Sequence, residues 1–290
     1  MGGQCCSERK DAAKDGRKSV AAFNGEKGKG RAISIGYHSR GDDAEKFDKA
    51  FEENDLKAFV SLLASDQKIE KFEERMHPWA EDPRTVGALA GTQLAILASV
   101  AEKDNPRVKD EIREAGAITP LVGFLKSGQE DRIQTAVVAL SFLTAECSKN
   151  ADASYKAGAM PELLKHLDAE KGGMRAAAAT TLRNICVENV QYRAEFARLG
   201  GVEGLVRQLN TSPDPALNHA DVQLEAVLNL QDIIEDDSGA VIPEYATAAC
   251  RAGALDKLNR LMKAEPQDEE VRSSAEEVIN SLQKFDKPRI

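Results

Sequence analysis

Apolar residues recur along this chain at offsets that lie on one face of a helix, and whole blocks of them return at a fixed distance. Glu114-Ala115-Gly116-Ala117-Ile118 is followed by Leu121 and Leu125; 42 residues on, Lys156-Ala157-Gly158-Ala159-Met160 is followed by Leu163 and Leu167. Leu140 and Leu143, in a later apolar run, return as Leu182 and Ile185 at the same spacing. Four glycines, Gly116, Gly158, Gly200 and Gly253, each have apolar residues at +2, +5 and +9, positions that stack along one helical face. Asn54 follows the same rule with Leu56, Phe59 and Leu63 behind it. The glycine or asparagine marks where a short helix ends and the chain reverses through a positive φ that other residues reach only at a cost.

A period near 40 residues predicts units that bury their apolar faces only by stacking on one another. Each unit reads as a short helix, a glycine turn, a second helix and a longer third helix. The solenoid is expected over residues 44–286, with repeats at 44–104, 105–148, 149–190, 191–239 and 240–286. This layout, with a third helix ending in a phrase such as Leu182-Arg183-Asn184-Ile185, resembles the armadillo repeat. The resemblance implies an all-α fold, a right-handed α-α superhelix, preceded here by a disordered tail over residues 1–43.

Two repeats are enlarged. Residues 64–84 intervene between the second and third helices of the first repeat and include His77-Pro78-Trp79. The single tryptophan either seals the end of the core or anchors a partner. Gly200 to Leu230 spans 30 residues where Gly116 to Leu140 spans 24, and the excess falls around Ser212-Pro213-Asp214-Pro215, where the prolines stop a helix and predict a surface loop.

Composition sharpens the picture in two places. No run approaches the ~20 apolar residues of a membrane span, and the polar start is no secretory signal, so residence in the cytosol or on a membrane facing it is expected. Cys147, Cys186 and Cys250 sit in or beside apolar helical phrases without metal-ligand spacing and read as buried reduced thiols. Charge is divided unevenly: residues 1–41 carry nine Lys and Arg against four acids, a net of +5, while the whole chain stands at −9 and the remainder therefore at −14.

The chain opens Met1-Gly2-Gly3-Gln4-Cys5-Cys6. Loss of Met1 would expose Gly2 to N-myristoylation and place Cys5 and Cys6 for palmitoylation, although Cys6 stands where the usual motif has Ser or Thr. One myristoyl chain binds a bilayer reversibly, so two signals are needed for a lasting anchor, and a basic tail adds about 1 kcal/mol per cation at an anionic surface. Phosphorylation of Ser19 or Ser34 would reduce that charge. The glycines at 25, 28 and 30 lack the Gly-Lys-Ser/Thr ending and the preceding strand of a phosphate loop, and residues 36–41 lack the spacing of a nucleophile elbow; both stretches read as linker.

In armadillo proteins the third helices line a groove in which an asparagine pins an extended peptide. Here Asn184 keeps that residue, and Ser99, Phe142, Asp232 and Ser281 are placed as its counterparts. One turn earlier stand Ala95, Val138, Thr180, Leu228 and Glu277. The groove is expected to be apolar near Val138 and Phe142 and acidic near Asp232, Glu235, Asp236 and Asp237, suited to a partner with apolar and basic residues; Val138 and Phe142 could instead belong to the core. Dispersed histidines and solvated carboxylates give no catalytic constellation, metal site or cofactor site, and an acidic body would repel nucleic acid.

Gly2, Cys5 and Cys6, a basic tail and little besides armadillo units are similar to the armadillo repeats only family of apicomplexan parasites. That resemblance implies a non-catalytic, myristoylated and palmitoylated adaptor on the cytosolic surface of rhoptries, the apical secretory organelles, with an unconventional myosin and an adenylate cyclase as partners. Other expectations remain open: an acylated armadillo adaptor of a different organelle, or a soluble armadillo exchange factor for Hsp70 chaperones.

Overall fold

The computed structural model describes residues 37–39, 41–72, 82–100, 107–187, 189–210, 220–264 and 268–286. Among them fifteen α-helices fall into five triplets: α1 (Asp42–Glu53), α2 (Leu56–Leu62), α3 (Val86–Ser99); α4 (Val108–Glu114), α5 (Ile118–Leu125), α6 (Glu130–Thr144); α7 (Ser148–Lys156), α8 (Ala159–Lys165), α9 (Gly172–Cys186); α10 (Val190–Arg198), α11 (Gly201–Gln208), α12 (Ala220–Ile234); α13 (Pro243–Arg251), α14 (Ala254–Leu261) and α15 (Glu269–Leu282). Every third helix is the long member of its triplet. The fold is of the armadillo type.

The turn between the first two helices of each triplet has the predicted backbone. Asn54 (φ 52°), Gly116 (91°), Gly158 (84°), Gly200 (80°) and Gly253 (84°) are all left-handed. At Gly116 the amide donates to the Arg113 carbonyl and that of Ala117 to Ile112, so the turn satisfies carbonyls that the end of α4 would otherwise leave open. Helix starts are set by side chains: Asp55 caps α2, Thr85 caps α3, Asn189 caps α10 and Asp268 caps α15.

The chain forms two compact units, the first ending at Glu162 and the second beginning at Leu163. In unit one the core holds Phe47, Phe59, Leu63, Leu94, Ile112, Leu121, Leu140 and Leu143. In unit two it holds Leu163, Leu167, Leu182, Phe196, Leu205, Leu230, Leu258 and Leu282. Each such side chain contributes about 1.5–3 kcal/mol by leaving water. α3 is buried nearly all round, and Gly91 lets it approach α6: a β-carbon there would lie 2.6 Å from Thr135 Cγ2.

Charged side chains also take part in the interior. Lys109 of α4, 6% exposed, donates to the Ala145 carbonyl at 2.9 Å beyond the end of α6, and Asn150 donates to the carbonyls of Leu143 and Lys109. In unit two, Arg193 of α10 reaches the carbonyls of Cys186, Val187 and Glu235. These cations meet carbonyls at the C-terminal ends of third helices, where positive charge is favoured.

One expectation is corrected. Residues 36–41 were read as linker within an unstructured tail ending at 43, yet the described part of this stretch belongs to the fold. A two-residue strand β1 (Tyr37–His38) pairs antiparallel with β2 (Lys71–Phe72). The Tyr37 hydroxyl donates to the Ala44 carbonyl and to Asp48, its ring meets Phe47 edge-on at 5.9 Å, and Ser39 donates to the Lys68 carbonyl. Burial, with the Asp48 carboxylate second, pushes the Tyr37 phenol far above its ordinary pKa. The physical reason lies in the enlarged first repeat, whose extra residues supply the strand and carbonyl that an isolated Tyr-His-Ser would lack. Trp79, the 212–215 loop, Ser19, Ser34 and the lipidation candidates Gly2, Cys5 and Cys6 lie outside the described residues.

Candidate interaction face

The longest helix of each triplet carries the candidate positions. In unit one, α6 presents Val138 and Phe142, one turn apart and both half-buried, between the fully buried Ala139, Leu140 and Leu143. Both side chains therefore divide their surface between core and exterior, so the groove and core readings each describe part of them.

Unit two is polar. On α9, Thr180 donates to Glu225 of α12 at 3.2 Å, and Arg183 Nε donates to Asp232 Oδ2 at 2.5 Å while its Nη1 meets Asn184 Oδ1 at 3.3 Å. Between α12 and α15, Ser281 Oγ donates to Glu235 at 2.8 Å, and Gln231 reaches both Glu235 at 3.3 Å and Glu277 at 3.5 Å. Thr180, Asn184, Leu228, Asp232, Glu277 and Ser281 thus share one face of α9, α12 and α15. Asn184 is mostly buried, whereas Glu277 is exposed.

These bonds also fix the register of the third helices. Thr180 bonds three residues before its counterpart Leu228, and Gln231 three before Asn280. In unit one Thr92 Oγ1 lies 3.4 Å from Thr135 Oγ1, which by the same step matches Thr92 with Val138. Ile96, half-buried like Phe142, is then the counterpart of Phe142. Ser99 falls one turn further on, exposed, with its hydroxyl donating to its own helix at the Ile96 carbonyl. Ala95, placed beside Val138 in the sequence reading, is buried. The residues inserted after α2 separate α3 from the turn at Asn54, and with that spacing lost the count slips by three.

The acidic reading is redistributed as well. Asp232 is neutralised by Arg183. Asp236 is folded into the turn after α12, accepting from Ser238 Oγ at 2.6 Å, Ser238 N at 2.8 Å and Ala240 N at 3.0 Å. The Ser238 hydroxyl, then these amides, hold its carboxyl below the usual carboxylate range. Carboxylates on the face itself are Glu225, Glu235 and Glu277. Sequence reasoning named neither Glu225 nor the Arg183–Asp232 pair, since a bond spanning 49 residues is visible only once the register is known.

Other chemistry is sparse. Cys147 and Cys186 are buried and Cys250 is half-buried, none of them in a disulfide. Burial pushes the Cys186 thiol far up, offset in part by Arg193, and raises that of Cys250. Such thiols are poor nucleophiles. Among the described residues no group of three or more His, Cys, Asp or Glu could hold a metal ion, and no helix is long and apolar enough to cross a membrane.

The profile of the Armadillo/beta-catenin-like repeat matches residues 147–187. No curated protein matches the chain. Among solved structures, the chain is similar to the armadillo repeats only protein from Plasmodium falciparum, with 39% identity over 84% of this chain and 99% of that one and a TM-score of 0.76. A designed armadillo repeat protein shares 25% identity over 82% of this chain and 86% of its own, at a TM-score of 0.61. A related design, in complex with the peptide (KR)4, stands at 24% over 82% and 86% with a TM-score of 0.59, a likeness of fold alone.

Proposed function

Since the chain belongs to the armadillo repeats only family, we propose that it is a lipid-anchored adaptor on the cytosolic face of an apical secretory organelle, the rhoptry, and that it recruits an unconventional myosin and an adenylate cyclase to position that organelle. The likeness to the Plasmodium falciparum protein, which runs through 99% of that chain, carries the reading. The armadillo fold is a protein-interaction scaffold, and the third-helix faces are where this chain offers varied chemistry above a uniform core. Myristate on Gly2 with palmitate on Cys5 and Cys6 would supply the two membrane signals that a lasting attachment needs. In unit one, Ile96, Val138 and Phe142 would take apolar side chains of a partner. In unit two, Asn184 would serve a peptide backbone and Glu235 and Glu277 basic side chains.

Metabolic labelling with alkyne myristate and alkyne palmitate tests the anchor. Both labels are expected on the wild-type chain, neither on Gly2→Ala, and myristate alone on a chain with Cys5 and Cys6 changed to Ser, with both variants released from the membrane fraction. An unlabelled, freely diffusing native chain would overturn the assignment and favour a soluble cofactor role. Recovery of myosin and cyclase by the anchored chain, and its loss in Phe142→Ala with Glu277→Lys, tests the adaptor role.

A further inference from the structure

We propose that Arg207, Lys257 and Arg260, on the second helices of the last two repeats, form a site for the phosphate monoester headgroup of a membrane lipid. Lys257 and Arg260 lie three residues apart on α14 and so share one side of it. Lys257 Nζ reaches to the preceding repeat, donating to Asn210 Oδ1 at 2.6 Å and to the Arg207 carbonyl at 3.5 Å. Arg260 Nε donates to the Asp256 carbonyl at 3.2 Å within its own helix. Both cations thus bond neutral oxygens, while Arg207 is paired with Asp168, its Nε at 2.9 Å and its Nη2 at 2.8 Å. Burial, then the positive charges of Arg260 and Arg207, lower the pKa of the Lys257 ammonium. Like charges are held close here, and an arriving anion would relieve them.

Charge and exposure select the ligand. A phosphate monoester carries a charge of about −1.5 to −2 and three acceptor oxygens, enough to bridge an ammonium and a guanidinium. Asp168, together with Glu203 and Asp256, each one turn before an arginine, keeps the net charge of the patch small. Diffuse attraction to any anionic bilayer is therefore weak, and close contact with a compact dianion is favoured. Arg207 and Arg260 are exposed and Lys257 is half-buried, so the site opens outward over two helices and fits a headgroup standing on a surface. Unit one offers no counterpart. Seven residues after the turn residue stand Lys165, Arg207 and Arg260 in unit two, but Ser61 and Gly123 in unit one. The choice of a lipid rests on the membrane-held reading above, whereas the site itself does not.

The test is amine footprinting of the unacylated full-length chain, in which acetylation of each lysine is followed by mass spectrometry with and without vesicles. Vesicles of phosphatidylcholine containing a phosphatidylinositol monophosphate are expected to slow acetylation of Lys257 several-fold, and vesicles of equal charge made with phosphatidylserine much less. R260Q, at an exposed position outside the core, is expected to abolish most of that slowing and to leave any protection of Lys10, Lys14 and Lys18 as it was. Protected tail lysines with an unprotected Lys257 would overturn the site and leave the membrane reading standing. A protected Lys257 with unprotected tail lysines would support the site and count against the tail's part in anchoring. Slowing that is equal with phosphatidylserine, or equal in R260Q, would also overturn the proposal. So would slowing by a phosphoserine peptide but by no vesicle, which would assign the site to a phosphorylated protein.

Discussion

The two units place third helices of the same family at the same register and give their outer faces opposite chemistry. In unit one Thr92, Ile96, Val138 and Phe142 make a nearly apolar row; in unit two the matching places are Thr180, Asn184, Leu228, Asp232, Glu277 and Ser281, tied by hydrogen bonds from helix to helix. Beneath both rows the core is the same. Leu94, Leu140, Leu182 and Leu230 are each fully buried at equivalent positions. A solenoid separates these two demands because packing consumes one stripe of each helix and leaves the adjacent stripe free to vary.

If that separation holds, the largest effects should be blind to the face. Leu140→Ala and Leu182→Ala should each cost about 3 kcal/mol, the usual range for a buried leucine, and should agree to within about 1 kcal/mol despite lying under different chemistry. Urea denaturation of the full chain, followed by circular dichroism, measures both. A loss confined to Leu140→Ala would show that the polar ladder of unit two, rather than its core, holds that unit together.

The register correction gives the next largest effect. Ile96→Asp should cost about 2 kcal/mol, since a charge would replace a half-buried apolar side chain, while Ser99→Asp should stay within about 0.5 kcal/mol. The reverse ranking would restore Ser99 to the face and undo the match of Ile96 with Phe142.

How far the chain could be read follows from these same residues. The five left-handed turns were legible because a positive φ leaves its mark in one residue, Gly or Asn, and the helix behind it leaves its mark in the +2, +5 and +9 spacing. The place of a candidate residue along its third helix was legible wherever that turn lies a fixed distance away, as for Val138, Phe142, Thr180 and Asn184. It failed at α3, where the insertion breaks the count. It was incomplete in unit two for another reason: composition shows that Asp232, Glu235 and Asp236 are acidic, but only three-dimensional contacts show that Arg183 neutralises the first and that a turn absorbs the third. Tyr37 escaped the sequence reading because its partners, Asp48 and the strand at Lys71, belong to different segments.

Asn229 of α12 is 1% exposed and neither of its amide atoms has a hydrogen-bond partner among the described residues. Its equivalents are Ala139 in unit one and, in unit two, Val278 and Thr181, the last of which satisfies its hydroxyl on the Ala177 carbonyl. Leucine keeps the branched heavy-atom skeleton of asparagine, with bulkier methyl termini, and has no amide to desolvate. Asn229→Leu should therefore stabilise unit two by about 1 kcal/mol in the same denaturation experiment. A loss of stability instead would mean that the amide has a partner in solution, such as a buried water.

The smallest expected effect bears on which acids the face of unit two really offers. The Asp236 carboxyl is held below the ordinary carboxylate range, chiefly by the Ser238 hydroxyl and next by the amides of Ala240 and Ser238. A carboxyl depressed by folding stabilises the turn at pH values above its unfolded pKa, and that contribution fades as pH falls through the lower, folded value. Ser238→Ala removes the largest of these causes, so the Asp236 titration midpoint, read by NMR at its carboxyl carbon, should move up toward the ordinary range. The turn should then loosen at a higher pH than in the wild-type chain. Binding of a basic peptide to the face should not change, because Asp236 is spent on its own loop. If Ser238→Ala weakened that binding, Asp236 would have to be counted with Glu235 and Glu277, and the acidic side of the comparison would extend past the end of α12 into the turn.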